Sequence, residues 1–125
     1  ERELVKIFTE QGWRALRVAG SGVNDDSPCD LIVGKMGKKG YAIEAKSSKK
    51  SRIYITKAQM EDFVKFSLML GLQPALAVRF NYKGWIFLQL QPENHMEDTG
   101  NNWVVSLERA ESKGLRFSQF FEESH

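Results

Sequence analysis

Little in this sequence could cross-link it, build a zinc site or anchor it. A single cysteine, Cys29, occurs in 125 residues. No internal disulfide can form, and a reducing, cytoplasmic setting is the natural expectation. Only two histidines are present, and neither Cys nor His recurs at zinc spacing, which argues against a structural zinc site. No apolar run approaches the roughly 20 residues that a membrane-spanning helix needs, and no signal-peptide pattern opens the chain. No membrane partner is therefore expected. Internal repeats, low-complexity tracts and dividing linkers are also missing, so residues 1–125 are expected to form one domain. Hydrophobic residues make up 42% and charged residues 27%, enough for a core without covalent staples.

What is present is an uneven charge distribution under a modest net charge of +2. Between Lys35 and Lys57 stand eight cations, Lys35, Lys38, Lys39, Lys46, Lys49, Lys50, Arg52 and Lys57, with one acid, Glu44. From Glu93 onward seven acids face only Arg109, Lys113 and Arg116. A basic middle with an acidic tail fits a polyanion partner for the middle. A solvated loop face explains the same run equally well.

Periodicity places a helix over 1–11, with Leu4, Ile7, Phe8 and Gln11 near one face and Gly12 as its stop. The chain opens at a helix start, so leading residues are expected before Glu1. A short strand follows over 13–19, then a glycine-serine loop through 20–28. Strands are expected over 30–33 and 41–46, joined by the 37–40 turn, and over 52–55 after a basic loop. Thr56 and Gln59 have capping-box spacing at the head of a helix that Gly71 ends. Met60, Phe63, Val64 and Ser67 form one stripe of it; Phe66, Met69 and Leu70 form a second apolar face. Buried-looking strands over 74–80 and 85–90 come next, then mostly loop, an apolar stretch over 103–107 and a short helix near 106–112. The order predicts an α/β fold, a mixed central sheet flanked by helices.

The chemistry concentrates at Asp30 and Glu44-Ala45-Lys46. Asp30 opens one strand, and Glu44 and Lys46 share a face of the next because strand side chains alternate. If the two strands pair, Asp30 approaches Glu44. Two carboxylates and the Ala45 backbone carbonyl are hard oxygen donors suited to Mg²⁺, and a neighbouring lysine can stabilise charge developing on a phosphate. Glu and Lys on an exposed strand are also a common solvated ion pair. Here, however, Glu44 interrupts an apolar run, where an unpaired carboxylate is costly.

Asp30 with Glu44-Ala45-Lys46 resembles the signature of PD-(D/E)xK nucleases. The opening Glu1-Arg2-Glu3-Leu4, the segment Arg17-Val18-Ala19-Gly20-Ser21 and the strand Pro74-Ala75-Leu76-Ala77-Val78-Arg79-Phe80 resemble the Hjc family of archaeal Holliday junction resolvases in particular. The likeness runs over nearly the whole chain and is weakest over 93–102. It implies a restriction-endonuclease-like fold, a homodimer, Mg²⁺ dependence with Mn²⁺ able to substitute, and paired nicks across four-way junction DNA. By the same resemblance Glu1, Ser21, Asp30, Glu44 and Lys46 match the catalytic set. Asp30, Glu44 and the Ala45 carbonyl would hold the metal, with Glu1 helping to order it or its water. Arg2, Arg17 and Arg79 match DNA-binding positions, and the basic run adds Lys49, Lys50 and Arg52. Phe66 matches an aromatic at the dimer contact, which Met69 and Leu70 would extend, with Trp103 and Val105 as further candidates.

Two departures stand out. Residues 23–28 lengthen the loop before Asp30, and Leu70 stands where another aromatic can occur. Plainer roles exist beside these assignments: edge charges for Arg17 and Arg79, core packing for Phe66, a generic turn for Ser21 and helix capping for Gln59. His95 lies in a polar loop without a partner pattern. Another nuclease of the same fold and an inactive DNA-binding module are the competing functions.

Overall fold

A computed structural model of the chain describes residues 2–18, 27–90 and 96–122. Glu1, Ser21 and His95, with most of the loop before Asp30, lie outside them.

The elements follow in the order α1 (Arg2–Glu10), β1 (Arg14–Arg17), β2 (Leu31–Gly34), β3 (Tyr41–Ser48), β4 (Arg52–Thr56), α2 (Lys57–Met69), β5 (Gln73–Phe80), β6 (Ile86–Gln89), β7 (Glu97–Asp98), β8 (Asn102–Ser106), α3 (Leu107–Lys113) and a π-helical turn at Ser118–Glu122. A five-stranded sheet has the order β1-β2-β3-β5-β6, and a three-stranded sheet has the order β4-β8-β7. β1–β2 and β2–β3 are antiparallel, with Arg17 opposite Leu31 and Leu31 opposite Ile43. β5–β6 is antiparallel as well. β5 runs in the same direction as β3: Gln73 N donates to Gly40 O at one end (3.0 Å) and Asn81 N to Ser48 O at the other (2.6 Å). The large sheet is thus mixed, as the element order predicts. Ala75 to Val78 are all buried, the unbroken apolar run of an interior strand.

Both long helices stop in the same way. Gly12 (φ +85°) and Gly71 (φ +70°) adopt left-handed backbone that side chains disfavour. Trp13 N then donates to Phe8 O (2.9 Å) and Leu72 N to Ser67 O (2.8 Å), satisfying carbonyls of the last turns. The capping box is present: Thr56 Oγ1 accepts from Gln59 N (3.0 Å) and Gln59 Oε1 from Thr56 N (3.4 Å).

Contacts group the chain into two compact units. Glu1–Glu44 with Glu61–Pro74 forms one. Its buried side chains include Leu4, Phe8, Trp13, Leu31, Val33, Ile43 and Phe63. Trp13 meets Phe8 edge-on at 5.9 Å. Ala45–Met60 with Ala75–His125 forms the other. There Ile53, Ile55, Leu76, Val78, Phe87, Val104 and Phe121 are buried, and Phe87 meets Phe121 at 4.9 Å.

Three features depart from the sequence reading. β3 extends to Ser48, two residues past Lys46. The strand beginning at Arg52 belongs to a separate small sheet that includes Glu97–Asp98. The turn at Ser118–Glu122 was not foreseen; its aromatics pack on Phe87. Among the described residues no helix is long and apolar enough to cross a membrane.

Candidate active site

The β1–β2–β3 ladder continues through Asp30, just before β2. Asp30 N donates to Ile43 O (3.0 Å), and Val18 N donates to Asp30 O (2.9 Å). Leu31 stands opposite Ile43, so Asp30, the residue before Leu31, and Glu44, the residue after Ile43, lie at the same end of the β2–β3 pair, with the Asp30 N–H bonded to Ile43. Both side chains are half-buried. The neighbouring thiol of Cys29 senses both: burial, then the Glu44 charge, then the Asp30 charge push its pKa up to about 12. Cys29 therefore stays a protonated thiol at neutral pH and is unsuited to act as a nucleophile. Its Sγ donates to Leu31 O (3.5 Å).

β3 runs on unbroken through Ala45 and Lys46. Alternation puts the Lys46 side chain on the same face of the strand as Glu44, while Ala45 keeps its carbonyl at the strand edge between them. The set suits a divalent cation. Neighbouring carboxylates repel one another, a cation between them would remove that penalty, and all the donors are hard oxygens. Among the described residues no three His, Cys, Asp or Glu side chains gather into a metal cluster. The sequence candidate for a third carboxylate, Glu1, lies outside them, as does Ser21.

The predicted basic residues divide. Arg2 and Arg17 are exposed, on α1 and at the end of β1. Lys49 and Arg79, with Ser47, Ser48 and Tyr82, line a cavity at the end of β3. Arg79 lies over the Trp85 ring (5.1 Å) and the Tyr82 ring (5.8 Å). Lys50 is exposed, its backbone N–H donating to Ser48 Oγ (3.0 Å). Arg52 is held differently: its guanidinium pairs with Glu97 at 2.7 Å. Lys57 likewise pairs with Asp98 at 2.6 Å. That hydrogen bond, followed by one from Gly100 N, holds the Asp98 carboxyl below its usual range. β7 thus lays two acids against the basic segment. Sequence reasoning missed this, because a two-residue strand carries no periodicity. It also missed Tyr82, whose signal was an aromatic inside a polar turn.

On α2, Phe66 is half-buried, and Leu68, Met69 and Leu70 are 66%, 79% and 55% exposed. Leu68, two residues after Phe66, is exposed on another face of the helix. Val105 does not join the patch: it is fully buried in β8, as is its neighbour Val104, and Trp103 is half-buried under Lys57.

Comparison with known proteins gives the family. A family model described as archaeal Holliday junction resolvase (Hjc) matches residues 1–125. The crossover junction endodeoxyribonuclease Hjc of Archaeoglobus fulgidus is 32% identical over 127 residues, covering 98% of this chain and 93% of the relative. The protein of the same name from Methanocaldococcus jannaschii is 39% identical over 118 residues, covering 94% and 80%. The solved structure of Archaeoglobus fulgidus Hjc, a Holliday junction resolvase, superposes with a TM-score of 0.81 at 28% identity, over 95% of this chain and 94% of that one. Such a family implies a nuclease that depends on a divalent metal ion. With the family model matched from end to end and two relatives at 32% and 39% identity over nearly the whole chain, the chain belongs to the archaeal Holliday junction resolvase family.

Proposed function

We propose that this chain, working as one nuclease domain over 1–125, resolves four-way DNA junctions by paired symmetric nicks. The observation that supports the reading is Asp30 at the head of β2, its N–H bonded to Ile43 beside Glu44, with Lys46 two residues further along β3. Asp30, Glu44 and the Ala45 carbonyl would hold Mg²⁺, with Mn²⁺ as a substitute. When bound, the cation supplies the Lewis acidity for phosphodiester hydrolysis. Lys46 stabilises the negative charge that builds on the phosphate. Glu1 and Ser21 are assigned supporting roles at the same centre. Arg2, Arg17, Lys49, Lys50, Arg52 and Arg79 hold the DNA backbone, whose phosphates set affinity without sequence information. Arg52 must part from Glu97 to do so. Two symmetric cuts need two catalytic clusters, so the working unit is a homodimer, joined through Phe66, Met69 and Leu70 on α2. A single buried thiol suits a reducing cytoplasm.

The test is a labelled four-way junction and a matched linear duplex, each incubated with and without Mg²⁺ and run on a denaturing gel. Paired nicks at symmetric positions, confined to the junction with Mg²⁺, are expected. Equal cutting of the duplex would transfer the chain to another nuclease role. Junction binding without any cutting, under either Mg²⁺ or Mn²⁺, would leave a binding module.

A further inference from the structure

The turn joining β5 to β6 carries a feature that folding alone does not account for. Asn81 (φ 49°) and Tyr82 (φ 60°) both adopt left-handed backbone. Asparagine tolerates this region; tyrosine does so only at a cost, and glycine is the residue usually found in such turns. Nor is the ring sheltered in return, because Tyr82 is 71% exposed. Strain of this kind that persists at the surface points to a function.

The surroundings of the ring indicate which function. Asn81 N donates to Ser48 O (2.6 Å), tying the turn to the end of β3. Tyr82 lines an open cavity of about 360 Å³ with Ser47, Ser48, Lys49 and Arg79. Lys49 Nζ stands 5.9 Å from the ring centroid and the Arg79 guanidinium 5.8 Å. An exposed ring with two cations within about 6 Å of its centre and two hydroxyls nearby can receive a stacked nucleobase once the cations swing out to the phosphates on either side. Ser48 lies two residues beyond Lys46, about 7 Å at strand rise. That is about two nucleotides along a DNA strand.

Resting on the resolvase reading, we propose that Tyr82 stacks on an unpaired or unstacked nucleobase at the branch point, and so selects junctions over linear duplex. Bases inside an intact duplex already stack on their neighbours and offer the ring no face. At the point of strand exchange that continuity is broken, and a base can be received. Lys49 and Arg79 contribute to binding on any DNA, whereas the ring contributes only where a base is free. Tyr82 is thus a residue of structural selectivity and takes no part in bond breaking.

The experiment measures the affinities of the full chain for a four-way junction and for a duplex of the same arm sequence, without divalent metal so that no cutting intervenes. Tyr82→Ala and Tyr82→Leu should lower the junction-to-duplex affinity ratio by about 5- to 150-fold, the range for losing one base–aromatic stack. Tyr82→Phe should keep the ratio within about three-fold, since stacking needs the ring and not the hydroxyl. Tyr82→Gly relieves the left-handed strain. It should unfold no lower than the parent yet lose the ratio, which separates contact from misfolding. A ratio unchanged in the Ala and Leu variants overturns the proposal, as does an equal loss on junction and duplex. If the parent itself shows no junction preference, the resolvase reading falls and this one with it. If the parent prefers junctions and all variants do too, the role of Tyr82 falls alone.

Discussion

Asp30 and Glu44 bear the same charge at the same end of the paired strands β2 and β3, which a sheet would not choose for stability. Neighbouring like charges are destabilising, more so where, as here, both are half-buried. Removing either charge should therefore separate folding from function. Asp30→Asn and Glu44→Gln should each cut junctions about 100-fold more slowly or worse, while unfolding at the parent temperature or slightly above. Junction binding should persist or tighten as repulsion of phosphate falls. Cleavage rates at saturating protein, read beside thermal unfolding, check both halves. Lys46→Ala should show a different pattern, a rate loss of about 10²–10³-fold with little change in binding. Arginine should rescue it poorly, because its planar fork does not replace a compact ammonium. Full activity of Lys46→Ala would reduce the lysine to half of a strand ion pair.

At the scale of elements, legibility in the sequence follows the length of the pattern. The capping box at Thr56 and Gln59, the stops at Gly12 and Gly71, and the unbroken run of β5 are local codes, and each reappears as hydrogen bonds or burial. The antiparallel pairing of β2 with β3, which brings Asp30 and Glu44 to one end of the pair, was legible only as a condition, since register depends on how the two strands align across the 37–40 turn. The small sheet was not legible at all: β7 is two residues long, and β4 pairs with β8 about fifty residues away. The salt bridge of Arg52 with Glu97 depends on that pairing, so the basic run looked less neutralised than it is. Another long-range contact gives a stability test. Gly114 closes α3 by donating to Ala110 O (2.8 Å). A methyl there would clash with Ile86 Cγ2 on β6 and sit 2.6 Å from Ala110 O. The carbonyl cannot retreat without loosening the cap. Gly114→Ala should cost about 1–3 kcal/mol and lower the unfolding temperature by roughly 2–15 °C. An unaltered melting curve would mean that α3 is not seated so tightly on β6.

For the whole molecule, the catalytic stoichiometry and the exposed apolar surface favour the same assembly. The candidate set Asp30, Glu44 and Lys46 occurs once in each chain, and two symmetric nicks need two such sets. The end of α2 presents Met69, and Leu70 just past it, to solvent beside a half-buried Phe66. A contiguous apolar patch of this sort is a liability on a monomer. A two-fold contact would use the same patch on both subunits, so α2 would pack against its own copy. Leu70 in place of a second aromatic would make such a contact aliphatic and adaptable, with Met69 able to fill irregular space. The parent should sediment as a dimer at micromolar concentration without DNA. Phe66→Glu would set two like charges near each other across the axis and in an apolar contact, a penalty of several kcal/mol. It should sediment as a monomer. Because Phe66 is half-buried in its own chain, Met69→Glu, at a position 79% exposed, is the cleaner companion and should fold normally. Both variants should bind junctions weakly, and where they cut they should leave single unpaired nicks, because only one cluster is delivered at a time. A folded Met69→Glu protein that still dimerises and makes paired nicks would move the interface away from α2, and a monomeric parent would reject the preformed dimer outright.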